Sequence, residues 1–377
     1  MTTALLAAFD QQATWCAQPA PFTARVLRRS RAWLAATPEA HAALSGLSAD
    51  PLAAAVALRW AAGLHLLALH GLQPWAGIWP PQGHSLQAEV AKTEAELDAQ
   101  LDAAIGQAWQ TQQPVLRDAL SRAPQTNEVQ RSAALLPGLL HVAQRTGLPL
   151  VLLEIGASAG LNLWCDRYHH APSVRSGQTG QVTWSWGDPQ APLTLQPAWT
   201  GPPPWAPAAA PPPLQVLRRA ACDAHPVDLR QPGEALRGAS FIWPEQTDRM
   251  ARLRNAQAAA ARWMAADGVA VQPLPAALFA DAALRSLQPG AATVLMHSVV
   301  WQYIQPQEQH AILHSLDAAG QRATAAAPLA WLRLEPPRAD LTVELRGRLW
   351  PGGADTLLAT AHPHGASVHW LAPQGAA

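Results

Sequence analysis

The 377-residue sequence predicts an α/β protein: a mostly parallel sheet preceded by an N-terminal helical domain. Three observations carry this. Before about residue 145, Ala and Leu recur at helical spacing with few β-branched residues, and no convincing strand appears. From residue 149, short apolar or β-branched runs alternate with helix-like segments, the order expected of parallel strands joined by crossover helices. The first of these runs, VLLEIG at 151–156, turns abruptly into the small residues ASAG.

In the N-terminal part, DPLAAAVALRWAAGLHLLALHG (50–71) and SLQAEVAKTEAELDAQLDAAIGQAW (85–109) are expected helices. Asp50 before Pro51 reads as an N-cap followed by proline at the first helical position. Residues 52–72 are apolar-rich but carry Arg59, His65 and His70, costly at a bilayer centre, so a buried helix is expected. The opening MTTALLAAFD has neither the basic region nor the apolar length of a signal peptide, which predicts a cytoplasmic protein. Thr126 reads as the N-cap of the helix leading into the sheet. The expected domains are therefore 1–145, helical, and 146–377, α/β.

The expected strands are LPLVLLEIG, LQVLRRAACD, GVAVQPL, ATVLMHSVV, LAWLRLEPP, TVELRGRLW and ASVHWLA. The last two are separated by the turn-rich WPGGADTLLATAHPHG, which predicts a hairpin-like end and an antiparallel C-terminal strand. Residues 187–214, GDPQAPLTLQPAWTGPPPWAPAAAPPPL, are so rich in proline that ladder donors are lost; an inserted extended loop is expected.

Composition narrows function. The formal net charge is zero, so no electrostatic footprint for nucleic acid or an anionic membrane exists. Lys92 is the sole lysine, which argues against a pyridoxal Schiff base or a P-loop. Cys16, Cys165 and Cys222 show no CxxC spacing, against structural zinc or a disulfide framework. His362, His364 and His369 lie close in sequence, but no carboxylate or cysteine cluster accompanies them, and no metal is expected.

The turn after the first strand admits two readings. Gly156-Ala157-Ser158-Ala159-Gly160 spells G-x-S-x-G, the pattern of a nucleophile elbow, with Asp223 or Asp340 as acid and His362, His364 or His369 as base. An elbow usually follows several strands, however, and this turn follows the first. Alternatively, the small residues let the backbone approach a cofactor at the N-terminus of the next helix. Glu154, at the strand end, suits a cationic or hydroxylated ligand group.

LLEIGASAGLNLWCDRY (152–168) resembles the signature of a bacterial family, domain of unknown function 2332, whose core is similar to S-adenosylmethionine-dependent methyltransferases. QTNEVQRSAALLPGL, RRAACDAHPVDL, SFIWPEQTDRMARL, TVLMHSVVWQY, WLRLEP and LWPGG match that family too, from about residue 120 onward and more loosely before it. The resemblance implies a Rossmann-like, methyltransferase-type sheet, S-adenosylmethionine as cofactor, and methyl transfer to a small molecule beneath an N-terminal helical cap. It places Glu154, Gly156, Ala157, Ser158, Gly160 and Asn162 around the cofactor's amino-acid end, and Asp223 on the ribose hydroxyls. His297 and Ser298 come to the carboxyl edge, with His297 as first choice for general base. Tyr303, with Gln302, would orient a substrate. Asn127 and Glu128 would cover cofactor or substrate.

Two departures stand out. Asp223 lies much farther from the turn than the roughly 20 residues usual for a ribose acid, which leaves Asp188 as a competitor at shorter spacing. Pro275 stands where methyltransferases commonly carry an acid near the adenine. Trp243-Pro244-Glu245-Gln246 opens a helix and suits either a lid or a favourably charged first turn. Two other functions stay open: a serine hydrolase using Ser158, and a non-catalytic ligand-binding relative of the fold.

Overall fold

The computed structural model describes residues 3–79, 93–125, 127–174, 184–205, 213–337 and 342–371; Lys92, Thr126 and Asp340 lie outside the described residues. They form two compact units, 1–126 with 231–254, and 127–230 with 255–377. The expected division at 145/146 thus falls earlier, because the helix at 132–146 packs on the sheet. The first unit also takes in a segment from far downstream.

The helices are α1 (Ala4–Cys16), α2 (Pro21–Ala36), α3 (Pro38–Ser45), α4 (Val56–Leu69), α5 (Trp75–Ile78), α6 (Glu94–Thr111) and α7 (Gln113–Ser121). They continue as α8 (Ser132–Thr146), α9 (Pro232–Ser240), α10 (Thr247–Asp267), α11 (Ala276–Leu284) and α12 (Pro306–Arg322). In the first unit, the expected helix over 50–71 begins only at Val56. Asp50 caps a separate turn, accepting the Ala53 N–H at 3.0 Å, and Ala55 in the left-handed region (φ 53°) separates that turn from α4. A Thr93–Glu96 capping box starts α6: each side chain bonds the other residue's backbone N–H.

The first unit's core holds Trp60, whose indole N–H reaches Ser30 Oγ at 2.9 Å, so that donor is satisfied on burial. The downstream segment is bonded in as well. Glu245 receives both the backbone N–H and the hydroxyl of Thr23 at 3.0 Å, capping the start of α2. His65 reaches the Ser240 carbonyl at 3.0 Å, and burial pushes its pKa down to about 4. Glu245 is therefore a cap that ties 231–254 into this unit, and the WPEQ segment is accounted for without a lid.

In the second unit the strands are β1 (Leu150–Ile155), β2 (His169–His170), β3 (Ser173–Val174), β4 (Thr194–Leu195), β5 (Ala198–Thr200) and β6 (Val216–Asp223). They continue as β7 (Val271–Pro273), β8 (Ala292–Ser298), β9 (Leu329–Glu335), β10 (Val343–Trp350), β11 (Asp355–Ala361) and β12 (Ser367–Trp370). Ten of them form one sheet in the order β3-β5-β12-β11-β10-β9-β8-β1-β6-β7. Neighbours are parallel from β9 through β7 and at β3-β5-β12, and antiparallel from β9 to β12. Every residue of β1 and β8 is buried, as expected for strands covered on both faces. After β1 the chain moves outward through β6 and β7, then returns across β1 to β8. The strand order therefore reverses between β1 and β8, where ligands of open α/β sheets bind.

Two expectations need correction. The single antiparallel C-terminal strand becomes a meander of β10, β11 and β12, because DTLLATA, between the Pro351-Gly352-Gly353 turn and the His362–Gly365 loop, has enough apolar residues to pair as β11. The Pro-rich stretch is also not all loop. Ala198–Thr200 contains no proline, keeps its donors, and enters the sheet as β5 beside β12. Trp199 there is buried against Trp184, with ring centroids 4.8 Å apart, and Trp184 in turn packs on Trp205.

Gly320 of α12 lies beneath the Trp350 indole, which a Cβ would overlap. Alanine favours the helix by about 1 kcal/mol, whereas overpacking a buried ring costs about 1–3 kcal/mol. Gly320→Ala is expected to destabilise the protein by up to about 2 kcal/mol, read from the urea midpoint at unchanged slope; a more stable variant would show that the indole moves aside freely.

Candidate functional site

At the carboxyl end of β1 the chain makes its turn. Gly156 and Gly160 take positive φ (65° and 71°), and Ser158 between them does the same at 52°. The Val300 side chain sits where a Cβ on Gly156 would go, so glycine is sterically required there; at Gly160 the end of the flexible Met264 side chain is the nearest neighbour, and it is the positive φ that favours glycine. The Ala157 N–H reaches the Cys222 carbonyl at 3.0 Å, and the Gly160 N–H closes the turn on the Ala157 carbonyl at 2.7 Å.

Asp223, ending the adjacent β6, holds this turn. Its Oδ2 accepts the Ser158 N–H at 2.8 Å and its Oδ1 the His225 N–H at 2.8 Å. Asn127 clamps the opposite side: its amide donates to the Ala157 carbonyl at 3.1 Å, and its Oδ1 accepts the Leu161 N–H at 3.0 Å. Behind it, Ser132 donates to Asn162 Oδ1 at 2.8 Å, and Glu128 Oε1 accepts the Gln130 N–H at 3.3 Å. Asn127, Glu128 and Asn162 thus buttress the turn from behind.

Glu154 is fully buried beneath this web, and its Oε2 has no hydrogen-bond partner. Burial, and then the charge of Asp223, pushes its pKa up to about 8. Its carboxyl is therefore protonated in the folded protein near neutrality. The Ser158 hydroxyl, also buried, has no partner either, so no imidazole touches it. Of the histidines considered for a triad, His362 accepts the backbone N–H of His364 and His369 meets Thr200 Oγ1 at 2.7 Å.

On the other side of β1, His297 ends β8 with both ring nitrogens engaged. Nδ1 is 2.7 Å from Glu335 Oε1, and Nε2 is 3.1 Å from Trp331 Nε1. An indole N–H only donates, so Nε2 accepts and the ring proton sits on Nδ1, facing the carboxylate. The lone pair a general base needs is therefore occupied, and the ring is further stacked on Trp301 at 5.2 Å. Glu335 Oε1 also receives the N–H groups of Val300 and Trp301 at 3.0 and 3.3 Å, while its Oε2 is buried without a partner. The Ser298 carbonyl accepts from Arg131 at 3.4 Å.

The sequence reading missed Glu335, although WLRLEP carries an acid at a strand end just as VLLEIG does. Tyr303 is 72% exposed on the turn after β8. Asp188 bonds the Gln190 N–H within its own exposed turn. Pro275 occupies the position before the first turn of α11 and makes no side-chain cap. Among the described residues no three His, Cys, Asp or Glu side chains converge as metal ligands.

Strain marks the same edge. Among the described residues four non-glycine residues have positive φ, and three of them, Asn127, Ser158 and Val299, belong to these loops. A valine in this region is a genuine outlier, and such strain concentrates at functional sites.

The profile of the bacterial family DUF2332, described as an uncharacterized protein conserved in bacteria, matches residues 6–370. The chain belongs to this family. The DUF2332 match takes in the N-terminal helices as well as the sheet, more of the chain than the motifs after residue 120. No curated protein and no solved structure matches. Among the described residues no helix of this DUF2332 chain is long and apolar enough to cross a membrane.

Because Glu154 takes up a proton on folding that the unfolded chain releases near its ordinary value of 4.5, it lowers stability as pH rises. The stability advantage of Glu154→Gln over the wild type is expected to grow from about pH 4.5 to about 8 and then level off. Urea titrations across that range measure it; a difference that does not change with pH would mean that Glu154 is ionised when folded.

Proposed function

We propose that this chain is a Rossmann-like, methyltransferase-type protein that binds S-adenosylmethionine at the β1/β8 edge and transfers its methyl group to a small molecule. The observation that carries this is Asp223: an acid ending the strand next to β1, bonded directly to the turn that follows β1. The insertion before β6 accounts for its long sequence spacing. Asp188, exposed in its own turn, is the weaker candidate for the ribose.

The donor set fits the ligand's chemistry. Glu154, Asp223 and Glu335 end three strands of one edge, and two of them carry a buried oxygen without a partner. A carboxylate-rich edge suits a sulfonium and ammonium carrying ribose hydroxyls, and repels the phosphates of a dinucleotide. S-adenosylmethionine would supply the electrophilic methyl group. Glu154 would meet the amino-acid end, Asp223 the ribose hydroxyls, and the backbone of Gly156, Ala157, Ser158 and Gly160 would allow close approach. His297 and Ser298 lie at the end of the neighbouring strand β8, with His297 bonded to Glu335. Glu335 Oε2 is better placed than the His297 ring to take a proton from an acceptor, because it has no partner of its own. Tyr303, exposed beyond the turn, is left to greet the acceptor.

Two observations favour a second reading, a non-catalytic ligand-binding relative: Val300 packs onto Gly156, and both His297 nitrogens are spent internally. For the serine-hydrolase reading, the left-handed Ser158 suits an elbow, but its hydroxyl has no histidine.

Calorimetry with S-adenosylmethionine and S-adenosylhomocysteine is expected to show one site per chain, weakened about tenfold or more by Asp223→Asn, with melting curves to establish that the variant folds. Ser158→Ala should leave affinity within about twofold, since its hydroxyl makes no bond to lose. No binding of either nucleoside at millimolar concentration would end this proposal; binding without turnover across small oxygen and nitrogen acceptors would favour the second reading. With turnover in hand, Glu335→Gln is expected to keep binding and lower the rate by about a hundredfold.

A further inference from the structure

Three acids end strands at the carboxyl edge of the second unit, and two of them have the donors a carboxylate needs. Each oxygen of Asp223 accepts a backbone N–H, one from Ser158 and one from His225. Oε1 of Glu335 accepts the N–H groups of Val300 and Trp301 and meets His297 Nδ1 at 2.7 Å. Glu154, between them in the strand order, is different. It is 2% exposed, and its Oε2 has no partner.

Nothing around Glu154 offsets its charge. The titratable groups within electrostatic reach are Asp223 and Cys222 on β6, with Cys165 and Tyr168 in the segment after the turn. Met296 stands beside it on β8. Burial pushes both thiols and the phenol up, so all three are neutral, and Asp223 has the same sign as Glu154. Glutamine or an apolar residue at 154 would avoid the cost of a buried acid with neither donor nor counter-charge. Ser158, on the turn that Asp223 holds, is a second and independent sign. It is 7% exposed, and its hydroxyl also has no partner. Two unmet polar groups thus adjoin one carboxylate, whereas folded proteins leave few such groups buried.

We infer that ligand binding at this edge expels one proton: an ammonium group pairs with Glu154 as the carboxylate, and the proton leaves to solvent. This rests on the proposed binding of S-adenosylmethionine, whose amino-acid end carries that ammonium. A cation beside a buried carboxyl stabilises its ionised form. By linkage, affinity then rises with pH until Glu154 is ionised before the ligand arrives. In the free protein burial, and then Asp223, push that point up to about 8. Binding near pH 7 therefore releases a proton almost every time. Methyl transfer leaves the ammonium in place, so S-adenosylhomocysteine carries the same coupling.

Calorimetric titration of the full chain with S-adenosylhomocysteine at pH 7, in phosphate, HEPES and Tris, tests this. The slope of the apparent enthalpy against the buffer's ionisation enthalpy counts the protons, and about one released per site is expected. Glu154→Gln, with melting curves to establish its fold, should bind without release. Wild-type affinity relative to that variant should rise by up to about tenfold per pH unit from about pH 6 to 8. In the wild type, 5′-methylthioadenosine, which lacks the amino-acid end, should bind without release. A buffer-independent enthalpy, release that survives Glu154→Gln, or equal release with 5′-methylthioadenosine would each overturn the inference and leave the proposed function standing. No binding of either S-adenosyl compound at millimolar concentration would end both.

Discussion

The carboxylate of Asp223 is the tie on which the second unit's functional edge depends. It accepts one N–H from the turn after β1 and one from its own strand's exit, residues 65 apart in sequence in the first case. Charge-assisted bonds of this kind are about twice as strong as neutral ones. That strength is needed locally, because a left-handed serine costs about 1–2 kcal/mol. The Asn127 clamp on the opposite side adds two further bonds. The turn is thereby held in a shape that its own residues would not choose.

The same carboxylate sets the electrostatics around it. Burial is the main reason Glu154 stays protonated, and the negative charge of Asp223 one strand away adds to it. A cation arriving beside them changes the balance, since it stabilises the second negative charge that burial otherwise forbids.

How much of this was legible follows from which interactions are local. The buried strands β1 and β8 read directly as apolar runs, and the turn reads as a turn because its two glycines lie four residues apart with only small residues between them. Asp223 was legible as an acid ending a run. What periodicity does not carry is the identity of distant partners. His297 looked like a base because its neighbours in sequence are apolar; its actual partners, Trp331 and Glu335, lie 34 and 38 residues on. Glu245 looked like a first-turn acid or part of a lid, and its partner Thr23 is 222 residues away. The strand β5 was hidden by proline content, although three proline-free residues suffice to enter a sheet.

The loop after β8 repeats the logic of the loop after β1. There, too, a carboxylate from the neighbouring strand collects backbone N–H groups, Glu335 holding Val300 and Trp301 as Asp223 holds Ser158. There, too, a non-glycine residue, Val299, is forced into the left-handed region. The two strained loops meet where Val300 rests on Gly156. Packing alone gives no reason to strain both sides of one contact, since a glycine at 299 would relieve one of them at no steric cost. The strain kept on both sides falls at the point where the strand order reverses, and strained backbone of this kind concentrates in loops whose groups are held at fixed positions by the structure around them.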